Sequence, residues 1–134
     1  MIVLKERMPQ ALALVALIAA LGASVLLVFI PFYSGVETNP ATGQQVQGSA
    51  TLIQMNGWDV LIPLVIPPVL AAAGLLAVLC AKHWRLLFVW IAASLLAVFV
   101  FLTGFSIGLF YVPAMIVSMT CAIVTQFQGN TIVR

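Results

Sequence analysis

The stretch LLFVWIAASLLAVFVFLTGFSIGLFYVPAMIVSMTCAIVTQ, residues 86–126, contains no charged residue. A helix needs about 20 mostly apolar residues to cross the hydrocarbon core of a membrane. The stretch is therefore too long for one crossing and suits two. Gly104, Gly108 and Pro113 predict a turn between the two helices, at residues 103–113. Pro113 fits the first turn of the later helix, where its missing N–H costs nothing.

Outside one polar loop, the rest of the chain is also mostly apolar. Of its 134 residues, 64% are hydrophobic and 6% are charged, against about 25% charged residues in soluble domains. Its mean hydropathy is +1.24, and a soluble domain of this size cannot bury so much apolar surface. We therefore predict an all-α integral membrane protein with one membrane domain, residues 1–134. Its four transmembrane helices, at residues 9–30, 59–81, 85–105 and 110–127, form an antiparallel bundle.

The first predicted helix begins like a signal peptide, because Lys5 and Arg7 precede an apolar run. The run continues over residues 9–30, which is longer than the roughly 7–15 residues of a signal peptide's apolar region. We therefore expect this helix to be retained in the mature protein.

The charges predict how the chain is oriented in the membrane. With four crossings, all the basic residues fall on one side: Lys5, Arg7, Lys82, Arg85 and Arg134. The other side carries Glu37 and Asp59. Basic residues in short loops favour the cytoplasm, so a multi-pass protein with both termini cytoplasmic is predicted. The polar loop, residues 31–58, is then extracytoplasmic.

This loop has the pattern of a β-hairpin. Polar residues alternate with apolar residues or glycine over residues 45–52, which is typical of a half-buried strand. Residues 32–38 are the predicted partner strand, and Gly43 is expected to take the left-handed conformation that closes the turn. Asn56 is predicted to cap the second long helix, with Asp59 in its first turn.

An isolated hairpin is only marginally stable in water, so this one needs support for its apolar face. It is either a docking element for a partner or a structured linker between the first two helices. As a docking element, it has four candidate partner contacts: Val46, Ala50, Leu52 and Trp58.

Small and bulky residues separate on the first helix. Ala13, Ala16, Ala20 and Ala23 share one side, whereas Leu14, Ile18, Leu21, Val25 and Val28 share another. Small residues allow close helix packing in lipid. We expect the small side to face protein and the bulky side to face lipid.

Three prolines, Pro63, Pro67 and Pro68, lie close together in the second helix. Pro67 and Pro68 are deep enough to kink it, because proline lacks an N–H donor and clashes with the preceding turn. The carbonyls freed in this way need partners, such as a neighbour's Ser or Thr, or water. The kink is either a static feature of the bundle or part of a transport site of the kind that discontinuous helices form.

Aromatic residues near the predicted helix ends predict belts at the membrane boundaries. The outer belt contains Phe32, Tyr33, Trp58, Phe110 and Tyr111, and the inner belt contains Trp84 and Phe127.

The predicted helices contain no Asp, Glu, Lys, Arg or His deep in the membrane. Such residues normally mark proton paths, ion paths and catalytic centres, so the sequence argues against proton-coupled transport and against an enzyme. Cys80 and Cys121 are expected to be packing residues, and no spacing suggests a metal or another cofactor. A net charge of +2, scattered along the chain, argues against nucleic-acid binding.

Four helices with cytoplasmic termini and an extended-strand loop after the first helix resemble the claudins in topology. The loop of that family carries Trp-Gly-Leu-Trp and a cysteine pair. This chain has only Asn56-Gly57-Trp58 and no cysteine in the loop, so the resemblance implies a layout and no site residues. Small multidrug-resistance transporters also have four short helices, but they place a glutamate in the first, and residues 8–36 contain no acid.

Two functions are therefore expected. The first is a non-enzymatic subunit or scaffold that binds membrane lipids and other membrane proteins, or copies of itself, with the hairpin as a docking element. The second is an oligomeric transporter or channel component with a path near Pro67 and Pro68.

Overall fold

A computed structural model describes residues 2–31, 33–38, 43, 45–80, 84–104 and 107–131. In chain order its elements are α1 (Ile2–Phe29), β1 (Tyr33–Thr38), β2 (Gln45–Ala50), α2 (Leu52–Asn56), α3 (Leu61–Cys80), α4 (Arg85–Thr103) and α5 (Val112–Thr131). Short 3₁₀ turns at Trp58–Val60 and Gly108–Tyr111 lead into α3 and α5. Most of the described chain is helical.

Four helical segments are long and apolar enough to cross a membrane: Arg7–Phe29, Trp58–Cys80, Arg85–Thr103 and Gly108–Gln128. Each end lies within two residues of the predicted range. The prediction of four long apolar helices with a small hairpin between the first two is confirmed.

The long helices form a closed ring. α1 packs against α3 and α5, and α4 packs against the same two helices, whereas α3 and α5 touch far less across the diagonal. Contacts between Ser24 near the end of α1 and Leu64 near the start of α3 show that these helices run antiparallel. Cys121 of α5 likewise reaches back to Pro9 of α1. We refer to the end with Ser24 and Leu64 as the hairpin end and to the opposite end, with Arg7 and Arg85, as the arginine end.

The small side of α1 forms the centre of this packing. Ala13, Ala16, Ala20 and Ala23 are all at least 94% buried, as predicted. The bulky side is exposed at Leu14, Ile18, Leu21 and Val25, while Val28 is partly buried against the core. Because alanine side chains are short, α1 approaches α3 and α5 closely along most of its length.

The turn between α4 and α5 depends on Gly108. A Cβ at this position would lie 2.5 Å from the Val100 carbonyl oxygen and 2.6 Å from Thr103 Oγ1. Both distances are far below van der Waals contact, so only glycine fits. Thr103 is fixed in turn by donating to the Phe99 carbonyl at 2.7 Å. Pro113 is the second residue of α5, where we expected it.

The hairpin is antiparallel, with Tyr33 opposite Ala50 at its base and Thr38 opposite Gln45 near its turn. Gly43 has a φ of +67°, which confirms the predicted left-handed glycine. The turn residues 39–42 and 44 lie outside the described part of the chain.

The second strand is shorter than predicted, because a helix begins at its end. Thr51 caps α2: its Oγ1 accepts from the Gln54 N–H at 3.4 Å, and Gln54 Oε1 accepts from the Thr51 N–H at 2.9 Å. This reciprocal capping box stabilises a helix start. Leu52 therefore lies in α2 and not in a strand.

Asn56 does not cap the second long helix, so that prediction was wrong. It is the last residue of α2, and its Nδ2 donates to the Leu52 carbonyl at 3.2 Å. Gly57, with a φ of +74°, separates α2 from the 3₁₀ turn that leads into α3.

Candidate functional site

The prolines of α3 free a backbone carbonyl that faces the bundle interior. Pro68 has no N–H, so the Leu64 carbonyl, four residues earlier, has no donor within its own helix. Ser24 Oγ of α1 lies 3.0 Å from this oxygen, and the Tyr111 hydroxyl lies 3.3 Å from it. The two hydroxyl oxygens are 2.8 Å apart.

One arrangement of the two hydroxyl protons satisfies all three groups. Tyr111 donates to Ser24 Oγ, and Ser24 donates to the Leu64 carbonyl; the Ala20 carbonyl, 3.1 Å from Ser24 Oγ, already has its own helical donor. We call Ser24, Leu64 and Tyr111 the polar node. It joins α1, α3 and the 3₁₀ turn before α5, and it confirms that a neighbouring serine serves the freed carbonyl.

The prediction that Tyr111 belongs to the outer aromatic belt is wrong. Its side chain is fully buried and meets Phe99 edge to face, with ring centroids 6.0 Å apart and planes at 82°. The phenol hydroxyl has its hydrogen-bond partners inside the bundle, so it does not need contact with water at the end of the helix. Trp58, Phe110, Trp84 and Phe127 are exposed near helix ends. Phe32 and the side chain of Tyr33 lie outside the described part.

The arginine half of the bundle contains a cavity of about 20 Å³, lined by Ala13, Gly74, Val89, Ser118 and Cys121 among others. This is room for about one water molecule. Cys121 is buried and its Sγ donates to the Pro9 carbonyl at 3.3 Å, so it acts as a packing residue. Cys80 is exposed.

The hairpin, in contrast, makes few contacts with the bundle. In the described part of the chain, neither strand packs substantially against any helix. Ser34, Gly35, Gln47, Gly48 and Ser49 are exposed and line one broad, open surface. We call these five residues the hairpin surface.

Two glycines face each other at the centre of the hairpin surface: Gly35 pairs with Gly48. Neither has a positive φ. Among the described residues, a Cβ on Gly35 would meet no atom within 4 Å, and a Cβ on Gly48 would approach only the Gly35 carbonyl, at 4.0 Å. Nothing in the described part of the fold therefore requires glycine at either position, although glycine weakens a strand. Glycine inside a strand often marks the close approach of another backbone or a ligand.

The predicted contact residues are dispersed. Trp58 is 75% exposed at the start of the segment that leads into α3, and Ala50 is partly buried at the base of the hairpin. Leu52 is buried in the core, so it cannot contact a partner and does not belong to the docking surface. The side chain of Val46 lies outside the described part.

Within the described residues, no three His, Cys, Asp or Glu side chains come together in a way that could hold a metal ion. No protein-family model, curated protein or solved structure matches this chain. The claudin-like layout therefore stays a resemblance of topology.

Proposed function

We propose that this chain is a small, non-enzymatic integral membrane protein that acts as a helical subunit or scaffold. The length and apolar character of its four helical segments support insertion into a membrane. The exposed bulky side of α1 suits contact with lipid. The distribution of basic residues supports a cytoplasmic arginine end, cytoplasmic termini and an extracytoplasmic hairpin in a claudin-like layout.

The single observation that carries this proposal is a hairpin that packs substantially against no described helix and exposes the pair Gly35 and Gly48 on its surface. A free two-stranded hairpin is marginal, and both of its strands expose unpaired backbone groups. A partner that adds a strand or packs on the glycine pair supplies the missing support. The hairpin surface thus docks either a second copy of this chain or another membrane protein.

The alternative, a transporter or channel component with a path near Pro67 and Pro68, has less support. The Leu64 carbonyl is already bonded within the polar node, and Pro67 is buried. We expect the purified protein in liposomes to show no ion or dye flux. Robust flux that is lost on Pro67→Ala and Pro68→Ala would favour the alternative.

Docking is tested by placing a photo-crosslinking residue at Ser49, on the hairpin surface, and at Met55, an exposed position on α2. Irradiation of membranes should give a discrete crosslinked product from position 49 and little from position 55. Irradiation of the purified protein distinguishes the partners, because only self-association gives the same product without other proteins.

The glycine pair supplies the decisive variants. Gly48→Ala and Gly35→Ala should lower the crosslinking yield roughly tenfold, because an extra methyl group in a packed contact costs about 1–3 kcal/mol. Gly22→Ala is the matched control, since a Cβ there also meets nothing within 4 Å. Equal yields from all three variants would contradict docking through the hairpin surface.

A further inference from the structure

We draw no further inference here: the strongest candidate, the cavity of about 20 Å³ in the arginine half of the bundle that Ser118 and Cys121 line, has room for about one water molecule, and nothing in the described part of the chain shows what occupies it.

Discussion

The bundle and the hairpin differ in how far contacts within the chain account for their polar groups and glycines. In the bundle, a carbonyl that Pro68 leaves without a donor receives a hydroxyl from another helix, and Gly108 lies where no other residue fits. In the described part of the hairpin, two glycines lie where no described residue would obstruct a larger side chain, and neither strand packs substantially on a helix. A glycine that its own fold requires is explained by that fold. A glycine that its own fold does not require indicates a contact with another molecule.

Gly108→Ala should have the largest effect on this comparison. The added methyl group meets the Val100 carbonyl and Thr103, so we expect the free energy of unfolding to fall by about 3 kcal/mol or more, at the upper end of overpacking costs. Gly74→Ala is the matched control, because its Cβ would lie at an ordinary 3.6 Å from Ala92 Cβ. Thermal or denaturant unfolding in detergent measures both variants, and equal losses would show that the turn is not tightly packed.

The polar node should show the next largest effect, and it should be non-additive. Ser24→Ala leaves Tyr111 within 3.3 Å of the Leu64 carbonyl, and Tyr111→Phe leaves Ser24 in place, so each single change should be mild. The double variant leaves the carbonyl unpaired and should lose about 2 kcal/mol. A double-mutant cycle of unfolding free energies measures the difference.

Pro68→Ala provides a rescue for the double variant. It returns an N–H to the position from which the Leu64 carbonyl is normally served, so adding it should recover most of the lost stability. Pro67→Ala is the control, because it returns a donor to the Pro63 carbonyl and should not rescue. Equal effects of the two proline changes would contradict the assignment of the node to Pro68.

Thr51→Ala should have a smaller and local effect. It removes the hydroxyl of the capping box, which is worth about 1 kcal/mol. Hydrogen exchange should accelerate in α2 and at the base of the hairpin, while the long helices stay protected. Faster exchange throughout α3 would show that the hairpin end and the bundle unfold as one unit.

Gly35→Ala and Gly48→Ala should change the stability of the isolated protein least, by about 0.5 kcal/mol or less, and in the stabilising direction. We expect these two changes to lower the crosslinking yield of the docked hairpin instead. A large loss of stability in purified protein would mean that the glycines serve the fold itself, which would remove the contrast with Gly108.

Much of the fold could be predicted because four long apolar runs dominate the sequence. Long apolar runs locate the membrane-length apolar segments to within two residues, although α1 begins earlier and α5 ends later than predicted. The alanine side of α1 identifies its packing face. The need of a Pro-freed carbonyl for a neighbour's hydroxyl could be stated as chemistry. That the neighbour is Ser24, with Tyr111 behind it, depends on which helices become adjacent, and one sequence does not determine that.

The errors have local causes. The belt prediction for Tyr111 follows from the rule that an aromatic residue near a helix end usually has one edge in water. A hydrogen bond with Ser24, which is distant in the sequence, holds the Tyr111 hydroxyl inside the bundle instead. The sequence Thr51-Leu-Ile-Gln54 matches a capping box. The polar–apolar alternation typical of a strand also continues through Leu52, so the two patterns overlap and predict different structures. The prediction that Asn56 caps the second long helix is wrong for the same reason, because Asn56 ends α2.

The contrast between the two regions is tested most directly by labelling Ser49→Cys with a membrane-impermeant maleimide. The background is Cys80→Ser, which removes the exposed native thiol, and Met55→Cys normalises for access. If a partner covers the hairpin surface, Ser49→Cys should react several-fold more slowly in native membranes than in dilute purified protein, relative to Met55→Cys. Equal relative rates in the two preparations would show that the hairpin is bare in the membrane and would contradict the account.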